Sequence, residues 1–214
     1  MTETSLIRLD IFIDPICPWC LIGKANLDLA IKENGDNPFV IAWHPFQLNP
    51  DTPKDGVERQ SYLEQNLGGK EAVAAMHVRL AEAAKASGVR INPDAPLRIP
   101  NTFDAHRLIH WAGIEGKQDA IVDSLFHAYW VDGRDIGAAD VLADIAAGNG
   151  MDSATIRRLL DSDADADDLR ARERDARRKG VTAVPTFLVA QKYVVSGAQP
   201  PALWRDVISE LARS

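Results

Sequence analysis

Long hydrophobic runs are missing from this chain. No segment approaches the roughly 18 unbroken apolar residues that a membrane-spanning helix needs. The opening MTETSLIRLDIFIDPICPWC has no basic start, extended apolar stretch or small-residue cleavage site, so no secretory leader is read and a soluble, cytoplasmic protein is expected. Positive charge is also short: 24 Lys and Arg stand against 31 Asp and Glu, for a net charge of -7. Such a field repels phosphates and opposes partnership with nucleic acid or an anionic membrane surface. Neither an internal repeat nor a low-complexity linker is visible. Cysteine is scarcest of all, two in 214 residues, too few for a disulfide framework. With 46% apolar residues the chain can bury a core without staples.

Both cysteines lie in Ile13-Asp14-Pro15-Ile16-Cys17-Pro18-Trp19-Cys20-Leu21. Two cysteines scattered at random over this length would fall at i, i+3 in roughly one per cent of cases, and that spacing is a known redox motif. The competing readings are two unrelated core thiols, or half of a zinc site. Zinc needs four ligands, and neither a second CxxC nor a matching histidine set accompanies the pair, so no metal is expected.

Leu6 to Ile13 reads as a mostly buried strand closed by the turn signal Asp14-Pro15. A helical pattern follows from Pro18 to Asn34-Gly35, then a second strand at Phe39 to Trp43, which makes a βαβ unit. Helical periodicity fills residues 59–88, 102–115, 117–131, 138–149 and 152–179, with breakers at Gly88, Asn92-Pro93, Pro96 and Pro100. A hairpin is expected from Thr186 to Val195 across Gln191-Lys192, then a last helix from Pro200 to Ala212. The simplest assembly is an α/β protein in which residues 1–55 and 181–214 share one sheet and residues 56–180 form an all-α insertion.

The helix after the motif gives the cysteines a chemistry. Cys17 falls at the N-cap and Pro18 at the first helical position, where a missing N–H costs nothing. The sulfur then faces free N–H groups whose partial positive charge favours the thiolate; in such motifs thiol pKa values fall from about 8.5 to between about 3.5 and 7.5. Cys17, exposed at the helix tip, is the expected nucleophile, and Cys20, one turn in and more buried, the resolving thiol. Pro18 and Trp19 shape the site between them, with Trp19 as an apolar ledge for substrate.

Four motifs in order carry a resemblance: Cys17-Pro18-Trp19-Cys20 with Ile22-Gly23 behind it, Trp43-His44-Pro45-Phe46-Gln47-Leu48-Asn49-Pro50, Thr182-Ala183-Val184-Pro185-Thr186-Phe187, and Ser196-Gly197-Ala198-Gln199. Together they resemble the DsbA-like branch of the thioredoxin superfamily, most closely its FrnE-type members, over essentially the whole chain. The resemblance implies a thioredoxin-like fold with an all-α helical insertion, and thiol–disulfide exchange on protein or small-thiol disulfides. It further implies a cis Val184-Pro185 bond opposite Cys17, with the Val184 backbone pairing with substrate, and Gly197 and Gln199 near that loop in contact with substrate; the residues alone read Ser196 to Pro201 as the turn and cap of the last helix. Sequence physics alone favours a trans proline at a strand start, since only about 5–6% of X-Pro bonds are cis. Asn101-Thr102-Phe103-Asp104-Ala105-His106-Arg107 with Trp111-Ala112 also resembles 2-hydroxychromene-2-carboxylate isomerases and kappa-class glutathione transferases. Those enzymes typically place serine where Cys17 stands and lack the second cysteine. A glutathione-dependent isomerase or transferase is therefore one alternative, and a redox-regulated holdase another. No bound cofactor is expected, although glutathione fits as a thiol co-substrate, and a monomer or homodimer is equally compatible.

Other residues carry two readings each. Asp14 either forms the turn before Pro15 or acts near Cys17 as a proton relay or like charge. Lys24 is read mainly as a solvated helix position. Trp43, His44 and Phe46 wall the active-site groove or, for the aromatics, belong to the core; His44, kept as a supporting residue with Asp14 and His106, is by itself weak evidence for acid–base work. His106 and His110 share a helix face without an HExxH glutamate, so His106 and Arg107 are kept as groove residues rather than metal ligands. Asp161 to Asp168 starts like an EF-hand, but Ala166 replaces its glycine and Arg172 its bidentate glutamate, which favours a solvated helix with acids first and arginines last.

Overall fold

The computed structural model describes residues 6–92 and 96–213; Pro93 and the MTETS start lie outside the described residues. Strand β1 (Ile7–Ile13) occupies the middle of the main sheet, paired in parallel with β2 (Phe39–Pro45) and antiparallel with β5 (Thr186–Val189). The sheet order is β2-β1-β5-β6, with β6 (Tyr193–Ser196) completing a hairpin. Leu9, Ile11 and Ile13 are essentially sealed from solvent, as expected of a strand covered on a helix-bearing face.

Helix α1 (Pro18–Asn34) opens with Cys17 in extended geometry at the N-cap and closes on Gly35 at φ 90°, a backbone state that disfavours a side chain. Helix α9 (Pro201–Leu211) packs beside it, and the Trp204 ring meets Phe187 edge-on at 4.7 Å. Because strand neighbours alternate faces, Ile11 and Phe187 look toward α1 and α9, whereas Asp10, Phe12 and His44 look the other way.

Between β2 and β5 the chain is mostly helical: α2 (Arg59–Leu67), α3 (Lys70–Ala86), α4 (Phe103–Ile114), α5 (Gln118–Trp130), α6 (Ala139–Gly148), α7 (Ser153–Leu160) and α8 (Ala166–Arg178). It also holds a two-residue pairing absent from the sequence reading, β3 (Val57–Glu58) with β4 (Arg98–Ile99). Two long helical stretches are each split in two. Gly68 and Gly69, both at positive φ, end α2 and start α3. After α7 the chain turns onto Arg107, whose buried guanidinium gathers the carbonyls of Leu159, Leu160, Ser162 and Ala164. A cation buried this way needs all its N–H groups satisfied, and the C-terminal carbonyls of α7 need donors. Arg107 is thus a brace between α4 and α7, not an open groove residue. The hairpin turn centres on Ala190 and Gln191, both at positive φ, one residue earlier than expected.

Lys24 overturns the solvated reading. It is 3% exposed, 2.8 Å from both Asp28 and Asp123 and 3.5 Å from Asp119, which locks α1 to α5. Burial works against its charge, but the Asp28, Asp123 and Asp119 carboxylates together outweigh that and hold the ammonium above its usual pKa. Its charge therefore serves α5 rather than the cysteines. Lys24→Met should lower unfolding stability by about 1–2 kcal/mol, because the three half-exposed carboxylates are partly screened by water. Urea denaturation should show that loss shrinking in 1 M salt, where screening relieves the carboxylates left behind.

Candidate active site

The turn Asp14-Pro15-Ile16 carries the chain from β1 into α1 and fixes where the cysteines start. The Cys17 N–H donates to the Asp14 carbonyl at 2.9 Å, and the Cys17 carbonyl accepts from Cys20 N–H at 3.1 Å. Both cysteines are free thiols. Cys17 is 3% exposed and Cys20 1%, so Cys17 is not the open helix tip expected from sequence. Its side chain also makes no capping bond to the helix. Instead Cys17 Sγ lies 3.6 Å from the Val184 carbonyl, a sulfur-length hydrogen bond in which the thiol donates. The reason is tertiary: the loop before β5 brings a carbonyl within reach of the sulfur. Trp19, 38% exposed, is the open part of the motif, with Pro18 half-buried beside it.

Val184-Pro185 is cis, as the resemblance implied. The loop is braced from behind. Gly197, at φ 79°, donates its N–H to the Pro185 carbonyl at 2.8 Å, and Asn26 Nδ2 on α1 donates to the Gln199 carbonyl at 2.9 Å. The Gln199 side chain bonds back to the Ser196 carbonyl. Gly23, which follows Ile22 in the first motif, has a role at the site that its place in the sequence does not signal. A Cβ there would fall 2.9 Å from Pro185 Cγ and 3.4 Å from Phe187 Cζ, so only glycine lets α1 lie against the proline ring.

Of the three residues Asp14, His44 and His106 that stood as candidates to support the site, His44 stands apart. Its Nε2 is 2.6 Å from Asp10 Oδ1 and its ring stacks on Phe12, under α8 on the sheet face turned away from α1. Trp43 and Phe46 are core, the latter capped by the Arg177 guanidinium at 4.0 Å.

Asp14 and His106, by contrast, meet beneath the motif. Asp14 is fully buried; its Oδ2 accepts from Leu48 N–H at 2.7 Å and its Oδ1 from Ile16 N–H at 3.4 Å, with the Thr102 hydroxyl as a further donor. It is both the turn residue and a neighbour of the thiols. Burial, only partly offset by these donors, pushes its pKa up to about 7. His106 Nε2 sits 3.9 Å from Asp14 Oδ1 with no hydrogen-bond partner among the described residues, and burial drives that imidazole's pKa down to about 3. Cys20 is pushed well above the ordinary thiol range, first by burial, then by its hydrogen bond to Cys17 and the charges of Cys17 and Asp14. Sequence offered no signal for Glu173. It is buried on the arginine-rich α8, where its carboxylate accepts from Gln47 N–H at 2.9 Å and holds the 43–50 segment over Asp14.

Among the described residues no group of three or more His, Cys, Asp or Glu side chains is placed to hold a metal. His110 faces away toward Asp165, which occupies a left-handed position and accepts from Trp111 Nε1 at 2.9 Å.

The raised Asp14 pKa has a sign for stability. The folded protein keeps the proton up to about pH 7, whereas the unfolded chain releases it near the usual value of 3.8, so this contribution is present at low pH and lost as pH rises through 7. Asp14→Asn should therefore stabilise the protein at pH 8, by on the order of 2–4 kcal/mol, with the gain shrinking as pH falls toward 4. Denaturant titrations at pH 8, 6 and 4 read this directly.

Known proteins with this architecture cover nearly the same length. The crystal structure of a probable DsbA oxidoreductase from Streptomyces coelicolor is 30% identical with a TM-score of 0.84, over 97% of this chain and 91% of that one. The uncharacterized protein YwbO of Bacillus subtilis is 26% identical over 95% of this chain and 96% of its own. Two structures share the fold at lower identity. A 2-hydroxychromene-2-carboxylate isomerase is 17% identical, TM-score 0.74, with 96% of both chains covered. The cytosolic disulfide reductase DsbM of Pseudomonas aeruginosa with GSH is 20% identical, TM-score 0.66, over 97% of this chain and all of that one. The DSBA-like thioredoxin domain matches residues 8–209, spanning the central strand, the cysteine pair, the inserted helices and the proline loop, and the chain belongs to that family.

Proposed function

We propose that the protein catalyses thiol–disulfide exchange through Cys17 and Cys20, acting on disulfide-containing proteins or small thiols. The observation that carries this reading is the placement of two free thiols one helical turn apart, the first against the Val184 carbonyl. Cys17 attacks a substrate disulfide from the start of α1, and the mixed disulfide lies along the Val184 backbone, which offers main-chain pairing with little demand on sequence. Cys20 then displaces the substrate thiol. Its raised pKa keeps it protonated until that step, so the two thiols divide the roles of nucleophile and resolving group.

Cys20 favours the dithiol cycle over an isomerase or transferase that needs one thiolate. The DsbM structure with GSH supports glutathione as a small-thiol partner. A cytoplasmic setting is supported by the two-cysteine composition and by that reductase being a cytosolic one. Both thiols and Val184 come from one chain, so a single copy suffices for the chemistry.

Cys20→Ser should accumulate a mixed disulfide at Cys17, visible by mass spectrometry under non-reducing conditions, and Cys17→Ser should reduce insulin turnover to the uncatalysed background. Failure of iodoacetamide to modify Cys17 in the native reduced protein would sink the proposal. A glutathione-dependent reaction that survives Cys20→Ser would point to the isomerase or transferase class. Peptide holding that persists in the double serine variant, with no turnover in the wild type, would point to a holdase.

A further inference from the structure

A cavity of about 430 Å³, within the size range of small-molecule sites, lies between α3 and residues 89–92, with the start of α2 at one end. Leu80 and Ala84 of α3 line it together with Val89 and Ile91, and this apolar floor packs on Ile22 of α1 and on Ala198. Neither cysteine lines the cavity, nor do Trp19, Val184 or Pro185. Its charges are of one sign: Arg59, Lys85 and Arg90 stand around it with His77, and no aspartate or glutamate joins them among the described residues. In a chain of net charge -7 that is a local reversal.

Arg59 is the group in need of a partner. Its backbone N–H donates to the Leu97 carbonyl at 3.0 Å, which fixes the root of the side chain where α2 starts beside β4. The half-buried guanidinium reaches His77, Nη2 to Nε2 at 3.3 Å, and among the described residues no carboxylate lies within ion-pair distance of it. Glu58, its neighbour in the chain, is committed to capping α2 through the N–H groups of Gln60 and Ser61. Burial pushes Arg59 and His77 below their usual pKa values, and the Arg59 charge pushes His77 further, so the imidazole is a neutral acceptor. A partly desolvated guanidinium is poorly answered by a neutral ring, whereas its parallel N–H groups match a carboxylate.

We infer that this cavity binds an aliphatic carboxylate of medium chain length, its head on Arg59 and His77 and its tail over Leu80, Ala84, Val89 and Ile91. The lining sets the class. Among the described residues no phenylalanine, tyrosine or tryptophan offers a ring face, and the small side chains of Ala81 and Ala84 leave room along α3. From His77 to Lys85 the helix rises about 12 Å, the span of an extended chain of about ten carbons. Lys85 and Arg90 are exposed at the rim, where their apolar stems cover a tail while their charges stay in water. A glutathione-like ligand would instead need polar partners along its peptide groups, which this floor does not supply. The inference goes beyond the thiol chemistry and stands without it.

Equilibrium dialysis of the full chain against radiolabelled decanoate, below micelle formation, tests the assignment. The wild type should bind it saturably and about tenfold tighter than octanoate, because two further CH2 groups are buried. Decanol, the same tail without the charge, should bind on the order of tenfold more weakly. Arg59→Met, which keeps an apolar stem, should weaken decanoate on the order of tenfold and leave decanol within about twofold. Ala81→Trp fills the cavity from an exposed position and should abolish binding; it carries the test if Arg59→Met fails to fold. Cys17→Ser should bind decanoate as the wild type does. Absence of saturable binding to the wild type overturns the inference, and so does undiminished binding to Ala81→Trp, which places the acid elsewhere. Equal affinity for decanol and decanoate overturns the carboxylate head. Displacement of decanoate by reduced glutathione, or its loss in Cys17→Ser, overturns a site separate from the thiols.

Discussion

Everything at the site follows from β1 being paired on both edges. Its parallel partner β2 is the next strand in sequence, but its antiparallel partner β5 arrives only after seven further helices beyond β2. Phe12 opposes Thr186, so the turn that leaves β1 and the loop that enters β5 emerge at the same end of the sheet. Residue 17 can then meet residue 184 only because that pairing is in register. A slip by one residue would turn Ile11 and Phe187 away from α1 and separate thiol from carbonyl. The close approach of α1, permitted by Gly23, completes the contact.

The protein buries charge in three ways, and the contrast is informative. Lys24 is answered by three carboxylates and becomes a clamp. Arg107 is answered by four carbonyls and Asp104 and becomes a brace. Among the described residues Asp14 is answered by N–H groups and a hydroxyl but no cation, and the Nε2 of its neighbour His106 finds no hydrogen-bond partner. The first two arrangements are closed. The third stays open to a proton, and it lies against the cysteines. The stability it forgoes at neutral pH is the kind of cost that accumulates where function rather than folding sets the residue.

Much of this was legible in the linear pattern. Apolar runs gave β1, β2 and β5, the proline after Cys17 gave the start of α1, and Gly35 gave its end. The four ordered motifs carried the family and the cis proline. Boundaries were missed where a backbone feature or a distant side chain intervened. The Gly68-Gly69 pair divides what periodicity joined, and Arg107 ends α7 from another helix. His44 lies away from the groove because a strand's period tells which residues share a face but not which face looks at the cysteines.

By itself the sequence determined the local facts: a strand, a turn, a proline-started helix and two thiols one turn apart, all of them set by neighbours within a few residues. Tertiary structure alone decided that Cys17 is covered and points at the Val184 carbonyl, that Lys24 is buried, and that Asp14 and His106 face each other. Solvent exposure and electrostatic environment are properties of what packs around a group. Those neighbours come from residues 48, 102, 106, 173 and 184, far along the chain and brought together only when the sheet closes.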